Sequence, residues 1–131
     1  MYLDTDCILA LIKESDWLKE PVRKRLLKEK GLCTSVLSII ECKLIFAREE
    51  NLETSLRVEK KVLHERIKLL PLDDKVLTMS NTLQKKYPIL GIFDSIHIGT
   101  AIISNERILS TDHIFPQIAE IIVENPLTDE K

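Results

Sequence analysis

The chain has little of what usually betrays a function. One Trp, two Tyr and three Phe are all of its aromatics, so a surface that reads bases by stacking is poorly supported. Its cysteines are Cys7, Cys33 and Cys42, an odd number without a C-x-x-C pair. That excludes a disulfide framework. With aliphatic neighbours, they read as small buried hydrophobes in a reducing cytoplasm. No apolar run approaches the ~20 residues of a membrane span. No basic, apolar-cored signal segment opens the chain, and chemistry-bearing residues begin at Asp4. A net charge of −2 gives no whole-molecule attraction for nucleic acid or an anionic membrane. Any contact with RNA or DNA therefore needs a local patch or a bound metal. Internal repeats, low-complexity tracts and dividing linkers are absent. The expected organisation is one domain over residues 1–124 and a polar tail over 125–131, long enough to bury roughly two-thirds of the unfolded surface.

Short apolar strands alternate with helical patterns. Tyr2-Leu3 starts a buried strand, and Cys7 to Ile12 turns helical. Ser15 or Asp16 can cap a helix through Leu26 and Leu27, with Gly31 as its stop. Leu32-Cys33-Thr34 is a strand. Ser35 then caps a helix whose apolar residues are Val36, Ile39, Ile40 and Leu44. Leu52, Leu56, Leu63, Ile67 and Leu70 share one helical face, although Ile67 to Leu72 can also hold a brief strand before Asp73. Asp73 caps a helix with Val76, Leu77, Ser80, Leu83 and Tyr87 inward. Asp94 opens another helix, Arg107–Ser110 is a strand and Ile121–Val123 the last one. This alternation predicts an α/β three-layer sandwich around a parallel sheet of four to five short strands.

Four acids stand in apolar company: Asp4, Glu41, Asp94 and Asp112. A half-buried carboxylate is costly unless it is paired, hydrogen-bonded or bound to a metal. Asp4 and Asp112 follow strands, and ligands of open parallel sheets bind outside the carboxyl ends of strands. Asp94 lies at a helix start, where the backbone dipole favours a carboxylate. Glu41 is six residues past Ser35, roughly 9 Å along a helix, and the longer side chain suits that distance. Singly, each has an ordinary reading. Asp4 or Asp6 can cap the helix near Cys7, Asp94 can be an N-cap, Glu41 can face water and Asp112 can sit in a turn. Together they share one predicted sheet edge. Four carboxylates there repel one another until some take up protons or a divalent cation binds. Oxygen-only ligands suit Mg²⁺ or Mn²⁺ and not Zn²⁺.

In order along nearly the whole chain, these segments resemble the PIN domain family of metal-dependent nucleases. Leu3-Asp4-Thr5-Asp6 is similar to the family's opening motif, with Asp6 where many members have Asn. Glu41, preceded by Ser35 and Ser38, matches the helix Glu. Asp94-Ser-Ile-His-Ile-Gly-Thr-Ala101 matches the family's Asp-led helix, with Gly99 where Ala is frequent. In Ser110-Thr-Asp112-His-Ile-Phe115, Ser precedes the Asp by two and Phe follows it by three, as in the last motif. The resemblance implies a PIN fold and Mg²⁺- or Mn²⁺-dependent RNA cleavage. Asp4, Glu41, Asp94 and Asp112 would be the metal-holding catalytic set, with Thr5, Asp6 and Ser110 orienting ligands or water. It also implies a homodimer, and for members of this size the toxin half of a type II pair held by a small protein antitoxin, or a role in RNA processing.

Other features weigh less. His97 and His113 flank the acids, but no Cys–His spacing supports zinc, and His97 reads as packed or hydrogen-bonded. Arg23, Lys24, Arg25, Lys28 and Lys30, and again Arg48, Arg57, Lys60 and Lys61, are solvated helix faces or a phosphate-contacting rim beside the acids. Trp17 is a base stacker or, more ordinarily, a core or interface anchor. A receiver-type regulator would want a Lys after a late strand, and none follows Ser110-Thr111. A catalytically inactive module that binds RNA or protein is the remaining alternative.

Overall fold

The computed structural model describes residues 1–128. Five strands form its sheet: β1 (Tyr2–Leu3), β2 (Leu32–Ser35), β3 (Ile67–Leu70), β4 (Ile108–Leu109) and β5 (Val123–Glu124). Their spatial order is β3-β2-β1-β4-β5, and every pairing is parallel. The helices are α1 (Thr5–Ile12), α2 (Lys19–Leu26), α3 (Val36–Arg48), α4 (Leu52–Leu56), α5 (Val58–His64), α6 (Asp74–Lys86) and α7 (Ile92–Ile103).

Successive strand residues point to opposite faces, so even two-residue strands feed two cores. Leu3 and Leu109 pack on one face with Ile8, Val22, Cys42 and Val62. Tyr2 and Ile108 pack on the other with Leu83, Ile98 and Phe115. The result is the expected α/β three-layer sandwich with a central parallel sheet. The strand order reverses between β1 and β4, so the crevice outside their carboxyl ends is the place such sheets offer a ligand.

Several local expectations hold. Ser35 caps α3 by accepting from Ser38 N, and Asp73 caps α6 by accepting from Val76 N. All three cysteines are buried and free. Burial pushes the Cys33 thiol up to about 11 and Cys42 to about 12, which suits inert packing.

Others are corrected. The long helix through Leu70 breaks twice. Arg57 (φ −111°, ψ 7°) separates α4 from α5. Arg66 adopts a left-handed φ of 60° and turns the chain into β3, the brief strand that the sequence allowed. The buried side of α5 is Val58 and Val62, whereas Leu52, Leu56 and Leu63 are exposed. On α3 the inward residues are Leu37, Ile39, Cys42 and Phe46, and Val36, Ile40 and Leu44 lie outward. Leu77 of α6 is exposed too. Helix α2 ends at Leu26 with Leu27 as its C-cap, short of Gly31, and Leu18 sits at its N-cap without a side-chain bond. Asp16 instead accepts from Leu18 N in the turn before it. Trp17 is 73% exposed and anchors no core. Helix α7 starts at Ile92, so Asp94 lies in its first turn behind an N-cap at Gly91. The last strand is shifted to Val123–Glu124. Of the expected polar tail, residues 129–131 lie outside the described residues.

Gly99 has more purpose than a weak point in a helix. A Cβ built there would meet Ser80 N and Val76 O of α6 at 3.3 Å each. Its missing side chain lets α7 lie against the backbone of α6. Gly99→Val should therefore destabilise the fold by about 1–3 kcal/mol through overpacking, read as a lowered urea midpoint. An unchanged midpoint would contradict this packing.

Candidate metal centre

The end of β1 runs directly into α1, and Asp4 sits at the junction. It is the N-cap of α1, with Oδ1 accepting from Thr5 N at 2.8 Å. Oδ2 accepts from Ser110 Oγ at 2.6 Å, just past β4. One buried carboxylate thus caps α1 and also reaches the segment that follows β4. Asp112 follows two residues later; its N donates to Ser110 Oγ at 3.0 Å and its Oδ1 accepts from Ile114 N at 2.8 Å. That is the turn chemistry the sequence allowed, and it fixes Asp112 beside the crevice.

Glu41 reaches from α3 to both α1 and α7. Its Oε1 accepts from Thr5 Oγ1 at 2.8 Å and lies 2.5 Å from His97 Nε2. The imidazole is also 3.9 Å from Asp4 Oδ1. Asp94 occupies the first turn of α7, half-buried, one turn before His97. Asp6 takes a different part. Its Oδ2 accepts from Thr111 N at 3.2 Å and from Thr111 Oγ1, bracing the loop between β4 and Asp112. Its Oδ1 is buried with no hydrogen-bond partner.

The electrostatics bind these groups together. Burial pushes the Asp4 carboxyl up to about 6; His97 pulls it down, Asp6 pushes it further up, and bonds from Ser110 and Thr5 lower it. Burial also raises Asp94, reinforced by the charges of Asp112 and Glu41 and opposed by His97. Burial alone would raise Glu41, but the His97 and Thr5 bonds outweigh it and hold the carboxyl below its ordinary value. Conversely, burial opposes charge on His97, yet Glu41, Asp4 and Asp94 together raise it. Asp4, Glu41 and Asp94 therefore all feel the shared imidazole.

Among the described residues, no three His, Cys, Asp or Glu side chains stand in a ready-made metal-binding group. Glu41 is turned onto Thr5 and His97, and Asp4 onto Thr5 and Ser110. The donor set still fits a hard cation. Its donors are carboxylate oxygens, two of the carboxyls (Asp4 and Asp94) are raised by burial and by neighbouring charge, and one buried oxygen of Asp6 has no partner. Both nitrogens of His97 are engaged, Nε2 by Glu41 and Nδ1 by Tyr2 OH at 2.6 Å, so it is not a spare zinc ligand. His113 is exposed. His97 is buried and hydrogen-bonded, as expected of a histidine one helical turn past Asp94; that its partners are Glu41 and Tyr2 is what sequence reasoning did not place.

The basic residues divide between two places: Arg25 lines a cleft with Asp112, His113 and Glu124. Arg23, Arg57, Lys60, Lys61 and His64 line a cleft of about 390 Å³ with Leu11 and Ile12. That is the far end of α1 from Asp4, roughly 10 Å along the helix. Arg23 pairs there with Glu65 at 2.8 Å, and Arg25 pairs with Glu29 at 3.0 Å and with Glu124.

A PIN domain family model matches residues 1–121. No curated protein sequence matches the chain at a significant level. Solved structures do match in fold. DNA-bound VapBC of Salmonella typhimurium is 21% identical, with a TM-score of 0.77 over 95% of this chain and 96% of that one. VapBC-1 of nontypeable Haemophilus influenzae is also 21% identical, with a TM-score of 0.75 over 97% and 98%. VapC20 of Mycobacterium tuberculosis, a toxin that cleaves the sarcin–ricin loop, is 12% identical, with a TM-score of 0.71 over 92% and 97%.

Asp4 supplies a pH test. Its carboxyl sits at about 6 in the fold and near 3.9 in an unfolded chain. Between these values the native state holds the extra proton, so ionising Asp4 costs stability as pH rises through that window. A divalent cation needs the ionised form. The rise in Tm caused by Mn²⁺ should be small at pH 5 and clearly larger at pH 7.5 in thermal melts. A Mn²⁺ effect independent of pH would contradict the assignment of Asp4.

Proposed function

The chain belongs to the PIN domain family, and from that premise we propose that it is a metal-dependent endoribonuclease, the toxin of a type II toxin–antitoxin pair. The observation that carries this reading is that Asp94 feels the charges of Asp112 and Glu41, while Asp4, bonded to Ser110 past β4, shares His97 with Glu41. These four would hold one or two Mg²⁺ or Mn²⁺ ions, whose chemistry is polarisation of the phosphate and acidification of water. The chain's own residues prepare the place. Ser110 and the backbone N–H of Thr5 fix both oxygens of Asp4. Thr5 and His97 fix Glu41. Asp6 holds the loop that carries Asp112 through Thr111. Burial and neighbouring charge make the ionised forms of Asp4 and Asp94 less favourable, a cost that a bound cation would offset.

The partners in this reading are an RNA substrate, a second copy of the chain in a homodimer and a small protein antitoxin, in the cytoplasm. Outward Val36, Ile40 and Leu44 on α3, and Leu52, Leu56 and Leu63 on α4 and α5, offer apolar surface to protein partners. None of the helices is long and apolar enough to cross a membrane among the described residues. A second reading is an inactive PIN-like module that binds RNA or protein; the engagement of Glu41 by His97 and Thr5 is the observation that favours it. A PIN nuclease of RNA processing shares the chemistry and differs in target.

Cleavage of mixed RNA with Mg²⁺ or Mn²⁺ decides between activity and its absence. Asp94→Asn should lower the rate roughly 100-fold or more, with the fold intact by circular dichroism. Undiminished cleavage would refute the site. Absence of cleavage by the unaltered protein, with RNA binding retained, would favour the inactive module.

A further inference from the structure

We propose that His97, itself held by Tyr2, is the residue that positions Glu41 for the cation; the inference rests on the metal-site reading above. His97 is 2% exposed and buried against the sheet. Its Nε2 lies 2.5 Å from Glu41 Oε1, and its Nδ1 lies 2.6 Å from Tyr2 OH. An ionised carboxylate only accepts hydrogen bonds, so Nε2 must carry the hydrogen that points at Glu41. Tyr2 OH can either donate to Nδ1 or accept from it. The Nε2–H therefore stays aimed at Glu41 whichever form Nδ1 takes.

The ring is fixed from two further sides. Tyr2 meets it edge-on, with centroids 5.9 Å apart and planes at 67°. Thr5 Oγ1 lies 3.3 Å from Nε2 while donating to the same Glu41 oxygen. Both contacts on Glu41 fall on Oε1 and leave Oε2 out of either bond. Glu41 is a long side chain on α3, with more rotamer freedom to lose than the shorter acids. Thr5 and His97 remove that freedom in advance and leave one oxygen for the crevice. Outer partners of this kind raise metal affinity by orienting the ligand. Tyr2 belongs to β1 and His97 to α7, so the chain Tyr2–His97–Glu41 ties the sheet, α7 and α3 to one carboxylate.

The test is Mn²⁺ affinity by titration calorimetry, which needs no RNA cleavage. His97→Leu keeps bulk and removes the donor; it should weaken Mn²⁺ binding roughly tenfold or more. His97→Gln can still present an N–H to Glu41 and should restore most of that loss. Tyr2→Phe should give a smaller loss. In a Glu41→Gln background, His97→Leu should add little, because the two residues act as one unit. If His97→Leu does not fold, Tyr2→Phe carries the comparison, and its binding as well as the unaltered protein with Glu41→Gln impaired would overturn the proposal. Unchanged affinity in His97→Leu, or an equal loss with and without Glu41, would also overturn it while leaving the metal site standing. Failure of the unaltered protein to bind Mn²⁺ would overturn both.

Discussion

Crowding of like charge at the carboxyl edge of a parallel sheet is the constraint on which the rest of the site depends. A fold has no stability reason to bring Asp4, Glu41, Asp94 and Asp112 together. Burial and mutual repulsion raise Asp4 and Asp94, and each raised carboxyl is an ionised form made less favourable. The surrounding structure offsets this with specific donors. Asp4 receives Thr5 N and Ser110 Oγ, and Glu41 receives Thr5 Oγ1 and the imidazole of His97. The remaining imbalance is what the proposed divalent cation would relieve.

The fold places this cost where ligands enter. Parallel pairing sends the carboxyl ends of all five strands to one side, and the order β3-β2-β1-β4-β5 opens a crevice between β1 and β4. Very short strands suffice because Tyr2 and Leu3, like Ile108 and Leu109, split between two cores. The close approach of α7 to α6 at Gly99 sets the helix that carries both Asp94 and His97. Packing on that side of the sheet and chemistry at its edge therefore share one helix.

Much of this is legible in the residues. The alternation of apolar strands and capped helices announces the sandwich, and Ser35 and Asp73 cap as their types suggest. The acids stand out because charge in apolar company needs a reason. What the residues conceal is mostly three-dimensional. The Leu52–Leu70 pattern reads as one helical face, yet a left-handed Arg66 and the pull of β2 on Ile67–Leu70 make a strand of its end. On α3 the outward apolar side chains Val36, Ile40 and Leu44 share the periodicity of the inward ones, so burial cannot be assigned from spacing alone. His97 reads in sequence as packed or hydrogen-bonded, but its partners Tyr2, Thr5 and Glu41 stay hidden because they are 95, 92 and 56 positions away. The basic runs divide for a related reason: Arg25 reaches a cleft beside Asp112, whereas Arg23, Arg57, Lys60 and Lys61 line one at the other end of α1.

The central claim is that the four carboxylates, prepared by their neighbours, are a divalent-cation site. Its most direct measurement is the anomalous scattering of Mn²⁺ in crystals of the protein. The account predicts one or two strong peaks within coordinating distance of Asp4, Glu41, Asp94 and Asp112. A peak only elsewhere on the surface, or none at this edge at saturating Mn²⁺, would contradict it.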